Sequence, residues 1–142
     1  PSRGLGDVYK RQYTHREKAL AAAEQKAANR LTEAERKAAV KRAAQMLAEK
    51  TAHFAKEMGV TYGRITIREQ KTRWGSCSSA GNLNYNWKLV LMPEHVMDYV
   101  VIHELAHQKE MNHSARFYAV VAQQMPDYKV WQSWLKEHGR EY

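Results

Sequence analysis

Residues 103–113 read His-Glu-Leu-Ala-His-Gln-Lys-Glu-Met-Asn-His, and the interpretation of the whole chain starts from this stretch. On a helix, His103 and His107 are one turn apart, about 6 Å along the axis, so both imidazoles face the same way. This is the spacing of two ligands to one zinc ion. Glu104 then lies about 100° around the helix, where it can accept a proton from a water that zinc has acidified. The stretch therefore predicts a zinc-dependent hydrolase site.

A zinc site of this kind needs a third protein ligand, and His113 is the first choice. It follows His103 by ten residues. Asn112, directly before it, tolerates the left-handed backbone of a sharp turn that would present His113 to the ion. His113 as the plain start of the next helix is the competing interpretation. Three carboxylates are the other candidates for the third ligand: Glu110, Glu137 and Glu141.

The residues around the motif predict that its helix is buried. Apolar side chains occupy both sides of the helix, namely Val96, Met97, Val100, Val101 and Leu105. A helix that is apolar nearly all round lies in the interior. Buried histidines and a buried carboxylate are costly without a partner, and a metal ion is the simplest one. We expect this helix to begin near Pro93 and to end at about Glu110.

A long helix is predicted upstream. Residues 32–35, Thr-Glu-Ala-Glu, form a capping box at its start, and Gly59 is a natural cap at its end. Apolar residues repeat between them at three- and four-residue steps, which predicts one buried stripe. The stripe consists of Val40, Ala43, Ala44, Leu47, Phe54 and Met58.

Short strands are predicted between the two helices. Residues 64–68 and 82–86 alternate in polarity, residues 88–92 continue the extended run, and 69–81 are polar and rich in turn residues. We expect a small, mostly antiparallel sheet. Residues 82–86 are the predicted edge strand, on which a substrate peptide would add as a further strand. Its substrate-facing residues would be Asn82, Asn84 and Asn86, although ordinary solvent-facing positions are an equally good interpretation.

Two helices are predicted after the motif. Ser114 would cap the first, and Pro126-Asp127 would open the second, which carries Trp131 and Trp134. The fold class is therefore α+β.

Three segments are predicted along the chain. Residues 1–12 resemble a translated sequencing-adapter scar and are interpreted as a non-native leader. Residues 13–31 are rich in alanine and lysine and read as the helical remnant of a truncated N-terminal region. Residues 32–142 form the single domain that carries the metal site.

Composition limits the classes of function. The 142 residues carry a formal charge of +8, which makes nucleic acid a conceivable partner, but the signs are mixed along the helical regions, as on a solvated face. Cys77 is the single cysteine, so no disulfide can form within the chain. No apolar run reaches the 18 or so residues of a membrane span. We expect a cytoplasmic protein with no membrane partner.

Several ordered motifs resemble the YgjP-like metallopeptidase domain, a family related to SprT-type and WLM-type zinc proteases. They cover about residues 32–142 and comprise residues 72–78, 81–83, 86–87, 99–107, 112–114 and Phe117. The resemblance implies a compact zincin-like domain: a long N-terminal helix, the small sheet, the buried His-Glu-x-x-His helix and two C-terminal helices. It also implies that His113 completes a site for one zinc ion.

Roles are also predicted for other polar residues of the chain. Arg73 is expected to stack on Trp74 and hold its loop, with substrate contact as the alternative. Cys77 is expected to pack, although a thiolate could approach zinc. The candidates for stabilising the transition state are Tyr118, His95 and Asn112.

The function predicted from these features is hydrolysis of peptide bonds in a peptide or protein substrate, with Glu104 as general base. One alternative is a metal-dependent nucleotide phosphohydrolase, since a relative in this family has been described as a nucleotide pyrophosphatase. The other is a DNA-associated module whose zinc is structural. Structural zinc sites usually have four protein ligands, which disfavours that alternative.

Overall fold

The computed structural model describes residue 20, residues 31–71 and residues 73–142. The predicted leader and nearly all of the predicted helical remnant lie outside these residues. The elements follow one another as helix α1 (Glu33–Met58), strands β1 (Ile65–Arg68), β2 (Gly75–Cys77) and β3 (Leu83–Asn86), and helices α2 (Glu94–Ala106), α3 (Ala115–Gln124) and α4 (Tyr128–His138). The predicted α+β class and the order of its helices are confirmed.

Helix α1 has the predicted ends. The Thr32 side chain accepts a hydrogen bond from the Glu35 amide, and the Glu35 carboxylate accepts one from the Thr32 amide. Gly59 adopts a left-handed conformation with φ of 69° and closes the helix. The buried face is rotated slightly from the predicted stripe, because Val40 and Phe54 are only half-buried. Its buried positions are Ala39, Ala43, Leu47, Thr51, Ala55 and Met58.

The sheet has three strands in the order β1-β3-β2, and it is mixed. β3 runs antiparallel to β2 but parallel to β1. The reason is that β1 and β2, which follow one another in the chain, lie at opposite edges of the sheet. After the turn at residues 78–82, the chain enters β3 between β1 and β2 and runs parallel to β1. One of the two strand pairs is therefore antiparallel, where a mostly antiparallel sheet was predicted.

The extended run predicted after β3 is wrong. Residues Trp87–Leu91 form a 3-10 helix instead. The Asn86 side-chain oxygen accepts a hydrogen bond from the Lys88 amide, and this cap turns the chain out of the sheet.

Helix α2 lies at the centre of the molecule, in contact with α1, β2, α3 and α4. It is apolar nearly all round, and Val96, Val101 and Leu105 are fully buried. Trp134 of α4 is also fully buried, whereas Trp131 on the same helix is half-buried. The core is thus built around the helix that carries the histidine motif.

Within the described part of the chain, no helix combines the length and apolar character that crossing a membrane would require.

Candidate metal centre

Helix α2 presents the first two histidines of the motif. The rings of His103 and His107 lie 5.2 Å apart between centroids, one turn apart on the same face. The helix ends earlier than predicted, at Ala106, and His107 is its C-terminal cap residue. The chain then turns through residues 107–110, where the Lys109 and Glu110 amides both donate to the Ala106 carbonyl. This turn directs the following residues back toward the histidines.

His113 completes a cluster of three. Its Nε2 atom lies 3.2 Å from Nε2 of His103 and 3.1 Å from Nε2 of His107. Among the described residues, these three form a group whose candidate ligand atoms all lie within 4.8 Å of one another. The carboxylates considered as alternatives are not members of it. Glu137 and Glu141 lie instead beside His138.

The donor chemistry of the three histidines fits a metal ion such as zinc. Nδ1 of His103 lies 3.2 Å from the Tyr99 hydroxyl, and Nδ1 of His107 lies 3.1 Å from the Glu110 carbonyl oxygen. With Nδ1 protonated toward these partners, Nε2 is left as the unprotonated nitrogen that a metal binds. Imidazole nitrogen is a preferred ligand of zinc.

The local electrostatics keep His103 and His107 neutral. Burial, together with the neighbouring His107 and His113, lowers the pKa of His103 to about 4. Burial also lowers the pKa of His107. A neutral imidazole is the form that binds a metal, so the folded chain holds both histidines ready for one at neutral pH.

The Phe117 ring packs against the rings of all three histidines. Its centroid lies 4.9 Å from His103, 4.5 Å from His107 and 4.9 Å from His113, and the side chain is fully buried. Phe117 is in the first turn of α3, whose start is capped by Ser114 as predicted. No sequence motif predicts this role for Phe117. Its position four residues after His113, one helical turn, is the signal that would have indicated it.

Glu104 is a buried carboxyl group beside this cluster. Only 6% of its surface is exposed. Burial raises the pKa of Glu104 to about 8, and the positive charge of Arg73 opposes part of that rise. A carboxyl group with a pKa near neutrality is suited to accept and then return a proton.

A cleft of about 470 Å³ opens over Glu104 and the histidines. One wall is β2 together with the two residues before it, and Tyr99 and Leu135 contribute from the helices. Gly75 allows β2 to lie this close to α2. A Cβ atom at that position would lie 3.0 Å from Val100 Cγ1 and 3.1 Å from Glu104 Oε2. The cleft therefore places an edge strand directly beside the buried carboxyl group.

The prediction that residues 82–86 form the sheet edge is wrong. They belong to β3, which is the central strand. Their asparagine side chains are also engaged within the protein. Asn82 accepts from the Arg64 amide, Asn84 accepts from Arg68 Nε, and Asn86 donates to the carbonyls of Gln70 and Arg73. The edge strand that borders the cleft is β2.

Arg73 lies just before β2, and Cys77 is the last residue of that strand. Arg73 makes no stacking contact with Trp74 within the described chain; instead, Trp74 packs closely against Gly139. The half-buried Cys77 lines the cleft but is outside the three-histidine group, and its Sγ accepts a hydrogen bond from Gln108 at 3.6 Å. Burial, with a contribution from Glu104, raises the pKa of Cys77, which favours the neutral thiol.

The residues considered as transition-state stabilisers have other contacts. His95 stacks on Trp131 at 5.0 Å, and Tyr118 stacks on Tyr128 at 5.8 Å. The Asn112 carbonyl accepts from the Ser114 amide. None of these three described candidates is among the residues that line the cleft.

Solved structures with a similar fold are metallopeptidase zymogens. Abylysin from Pyrococcus abyssi superposes with a TM-score of 0.58 and 23% identity, over 66% of this chain and 96% of its own. Jannalysin from Methanocaldococcus jannaschii gives a TM-score of 0.53 and 19% identity, over 64% of this chain and 95% of its own. At these identities the likeness shows a shared fold. A comparison with curated proteins finds no match.

The family comparison covers nearly the whole chain. The YgjP-like metallopeptidase domain matches residues 6–138, which include β2, the histidine motif and the Phe117 support. The match agrees with the fold of the two zymogens and identifies a hydrolase of the metallopeptidase class. A match of this extent shows that the chain belongs to the YgjP-like metallopeptidase domain family.

Proposed function

We propose that the chain hydrolyses peptide bonds with one zinc ion held by His103, His107 and His113 and with Glu104 as general base. The observation that supports this best is the convergence of three Nε2 atoms beside a buried carboxyl group in an open cleft. Three protein ligands leave a position for water or substrate, as in catalytic zinc sites.

The Glu104 carboxylate accepts and then donates the proton in this mechanism. Bound zinc would supply Lewis-acid polarisation of the substrate carbonyl and of the attacking water. Glu104 accepts one proton as the water oxygen bonds to the carbonyl carbon, and it returns that proton to the amide nitrogen as the carbon–nitrogen bond breaks. The products are a carboxylic acid and an amine. The low exposure of Glu104 helps both transfers, because its basicity increases in an apolar environment.

The substrate is proposed to lie along β2. This strand is at the edge of the sheet, borders the cleft and is brought against α2 at Gly75. A sheet edge binds an extended peptide through main-chain hydrogen bonds, in the manner of an added strand. The substrate strand predicted at Asn82, Asn84 and Asn86 is thus replaced by Gly75–Cys77.

Glu104→Gln tests the chemistry separately from the metal site. The variant should retain one equivalent of zinc and lose peptide hydrolysis by a factor of at least about 100. Metal analysis and turnover of a fluorogenic peptide library measure the two properties. Glu49→Gln, an exposed substitution of the same type on α1, is the matched control and should behave like the wild type. Undiminished turnover in Glu104→Gln would contradict the mechanism.

His113→Ala tests the third ligand. Zinc content should fall well below one equivalent, because two histidines on one helix hold the ion weakly without the third. Full retention of zinc in this variant would show that His113 is not the third ligand.

The nucleotide phosphohydrolase alternative is tested in the same assay. A panel of nucleoside triphosphates is offered beside the peptides, and phosphate release is measured. Release that depends on zinc and Glu104, without peptide cleavage, would replace the proposed reaction.

A further inference from the structure

Among the described residues that line the cleft, Arg73 is the one lysine or arginine, and it directly precedes Trp74 and β2. It is exposed, and no ion pair of Arg73 with another described residue occurs. The other arginine close to this region, Arg68, donates its Nε to Asn84. Arg73 therefore brings an uncompensated charge to the cleft.

The backbone at Arg73 is held in place although its side chain is not paired. Its carbonyl accepts from Asn86 Nδ2 at 3.3 Å, and the next carbonyl, of Trp74, accepts from the Asn86 amide at 2.9 Å. Both bonds anchor the start of β2 to the central strand. An anchored backbone with a free guanidinium is the arrangement expected of a residue that binds something from outside.

Arg73 is also close to the reacting bond in the proposed function. It precedes Gly75 by two residues, and a Cβ atom at Gly75 would lie 3.1 Å from Glu104 Oε2. Its charge is near enough to act on the Glu104 carboxyl group. An extended peptide advances about 3.3 Å per residue, so a group one or two residues from the scissile bond reaches the guanidinium.

We propose that Arg73 selects substrates that carry a carboxylate next to the bond to be cut. The inference rests on the proposed peptidase function and adds a specificity to it. A guanidinium offers paired donors that match a carboxylate, and it repels a cationic side chain at the same place. The carboxylate can be an Asp or Glu side chain or the C-terminus of a peptide.

Matched peptides test the proposal. One set has amidated C-termini and carries Glu, Gln or Lys at a single position on either side of the scissile bond. A second set differs only in a free or amidated C-terminus one or two residues beyond that bond. The zinc-loaded wild type, Arg73→Gln, Arg73→Glu and the control Lys71→Gln are compared by kcat/KM at low and high salt. Lys71 is an exposed cation two positions away that does not line the cleft.

The wild type should favour the carboxylate-bearing member of at least one set by about two- to fivefold, the range of an exposed ion pair. Arg73→Gln should remove that preference, Arg73→Glu should reverse it toward Lys, and Lys71→Gln should keep it. The preference should also shrink as salt shortens the screening length.

Equal hydrolysis of all members by the wild type would overturn the role of Arg73 and leave the peptidase function standing. An equal loss for every peptide in Arg73→Gln would also overturn it. Hydrolysis of no peptide at all would contradict the proposed function itself.

Discussion

Tyr99 is the residue that most directly orients His103. Its hydroxyl lies 3.2 Å from His103 Nδ1, one helical turn earlier on α2, and only 5% of its surface is exposed. The Gln132 side chain of α4 also interacts with the hydroxyl. Tyr99 thereby links the histidine to a second helix. Partners of this kind hold the ring and its tautomer in the form that binds a metal.

Tyr99→Phe should therefore weaken zinc binding by about tenfold. The ring remains to fill its space, but His103 Nδ1 loses its partner and the imidazole can rotate. Competition with a chromophoric chelator measures the dissociation constant. Tyr85→Phe is the control, since it also removes a buried hydroxyl hydrogen bond, to Thr51, away from the histidines. Equal zinc affinity in both variants would show that Tyr99 does not position His103.

Among the elements, β2 and α2 are the pair whose separation matters most. The strand lies against the helix because Gly75 has no side chain. Val100 is 3% exposed and Glu104 is 6% exposed, so a side chain added at position 75 would meet two buried neighbours. The distance between β2 and α2 therefore depends on the absence of a side chain at position 75.

Gly75→Ala should lower kcat/KM by at least about tenfold, because small displacements of catalytic groups are costly. The new methyl group would displace Glu104 or push β2 outward. Overpacking should also reduce the free energy of unfolding by about 1 kcal/mol or more. Steady-state kinetics and urea unfolding measure the two effects. Wild-type kinetics in this variant would mean that the approach of β2 to Glu104 has no catalytic importance.

Glu69 joins the end of β1 to α1 and to the 3-10 helix. Its carboxylate accepts from Trp87 Nε1 at 2.7 Å and pairs with Arg36, which also lies over the Trp87 ring. The Trp87 hydrogen bond, with the charges of Lys88 and Arg36, lowers the pKa of Glu69 below its ordinary 4.5. A lowered pKa stabilises the fold above the unfolded-state value and loses that effect as the pH falls.

Glu69→Gln should accordingly cost less than about 1 kcal/mol at pH 7, since the carboxylate is partly exposed. The difference from the wild type should be complete above pH 4.5 and shrink as the pH falls below it. Urea unfolding at pH 7 and pH 3 measures it. A difference that persists unchanged at pH 3 would exclude the charge as its cause.

The sequence predicts elements whose signals are local. The Thr32 capping box, the Gly59 cap and the Ser114 cap are confirmed because each depends on neighbours within four residues. The order of the strands was not predictable in this way. β3 is central because β1 and β2 lie at opposite edges of the sheet, and strand pairing across a sheet leaves no periodic trace in a single sequence. The early end of α2 was missed for a similar reason, since the turn after His107 contains no glycine or proline.

In the candidate site, too, some features follow from local sequence spacing and others depend on contacts between elements. The spacing of His103, Glu104 and His107 follows from helical geometry alone. The support by Phe117, the close approach of Gly75 and the position of Arg73 depend on packing between elements, which the sequence pattern does not encode.

For the molecule as a whole, the three histidines bring two separate parts of the fold to one point. His103 and His107 belong to α2, whereas His113 directly precedes α3. A metal bound by all three would cross-link the central helix to the C-terminal half. A ligand that binds only the folded state raises stability by mass action.

Zinc at 100 times its dissociation constant should therefore add about 2.7 kcal/mol to the free energy of unfolding. For a domain of this size the melting temperature should rise by roughly 8 °C. Thermal unfolding followed by circular dichroism measures the shift, which a chelator should reverse. His113→Ala should show a much smaller shift. Identical melting with and without zinc would indicate that the histidines do not bind it in the folded state.

The shortness of β2 has a consequence for how long a substrate stays bound. The strand is three residues long. A peptide beside it forms about two or three main-chain hydrogen bonds, each worth about 1 kcal/mol net. That total falls short of the roughly 4 kcal/mol of a millimolar complex. Peptides without suitable side chains should thus dissociate quickly, and product release should be fast enough for the bond-breaking step to set the turnover rate.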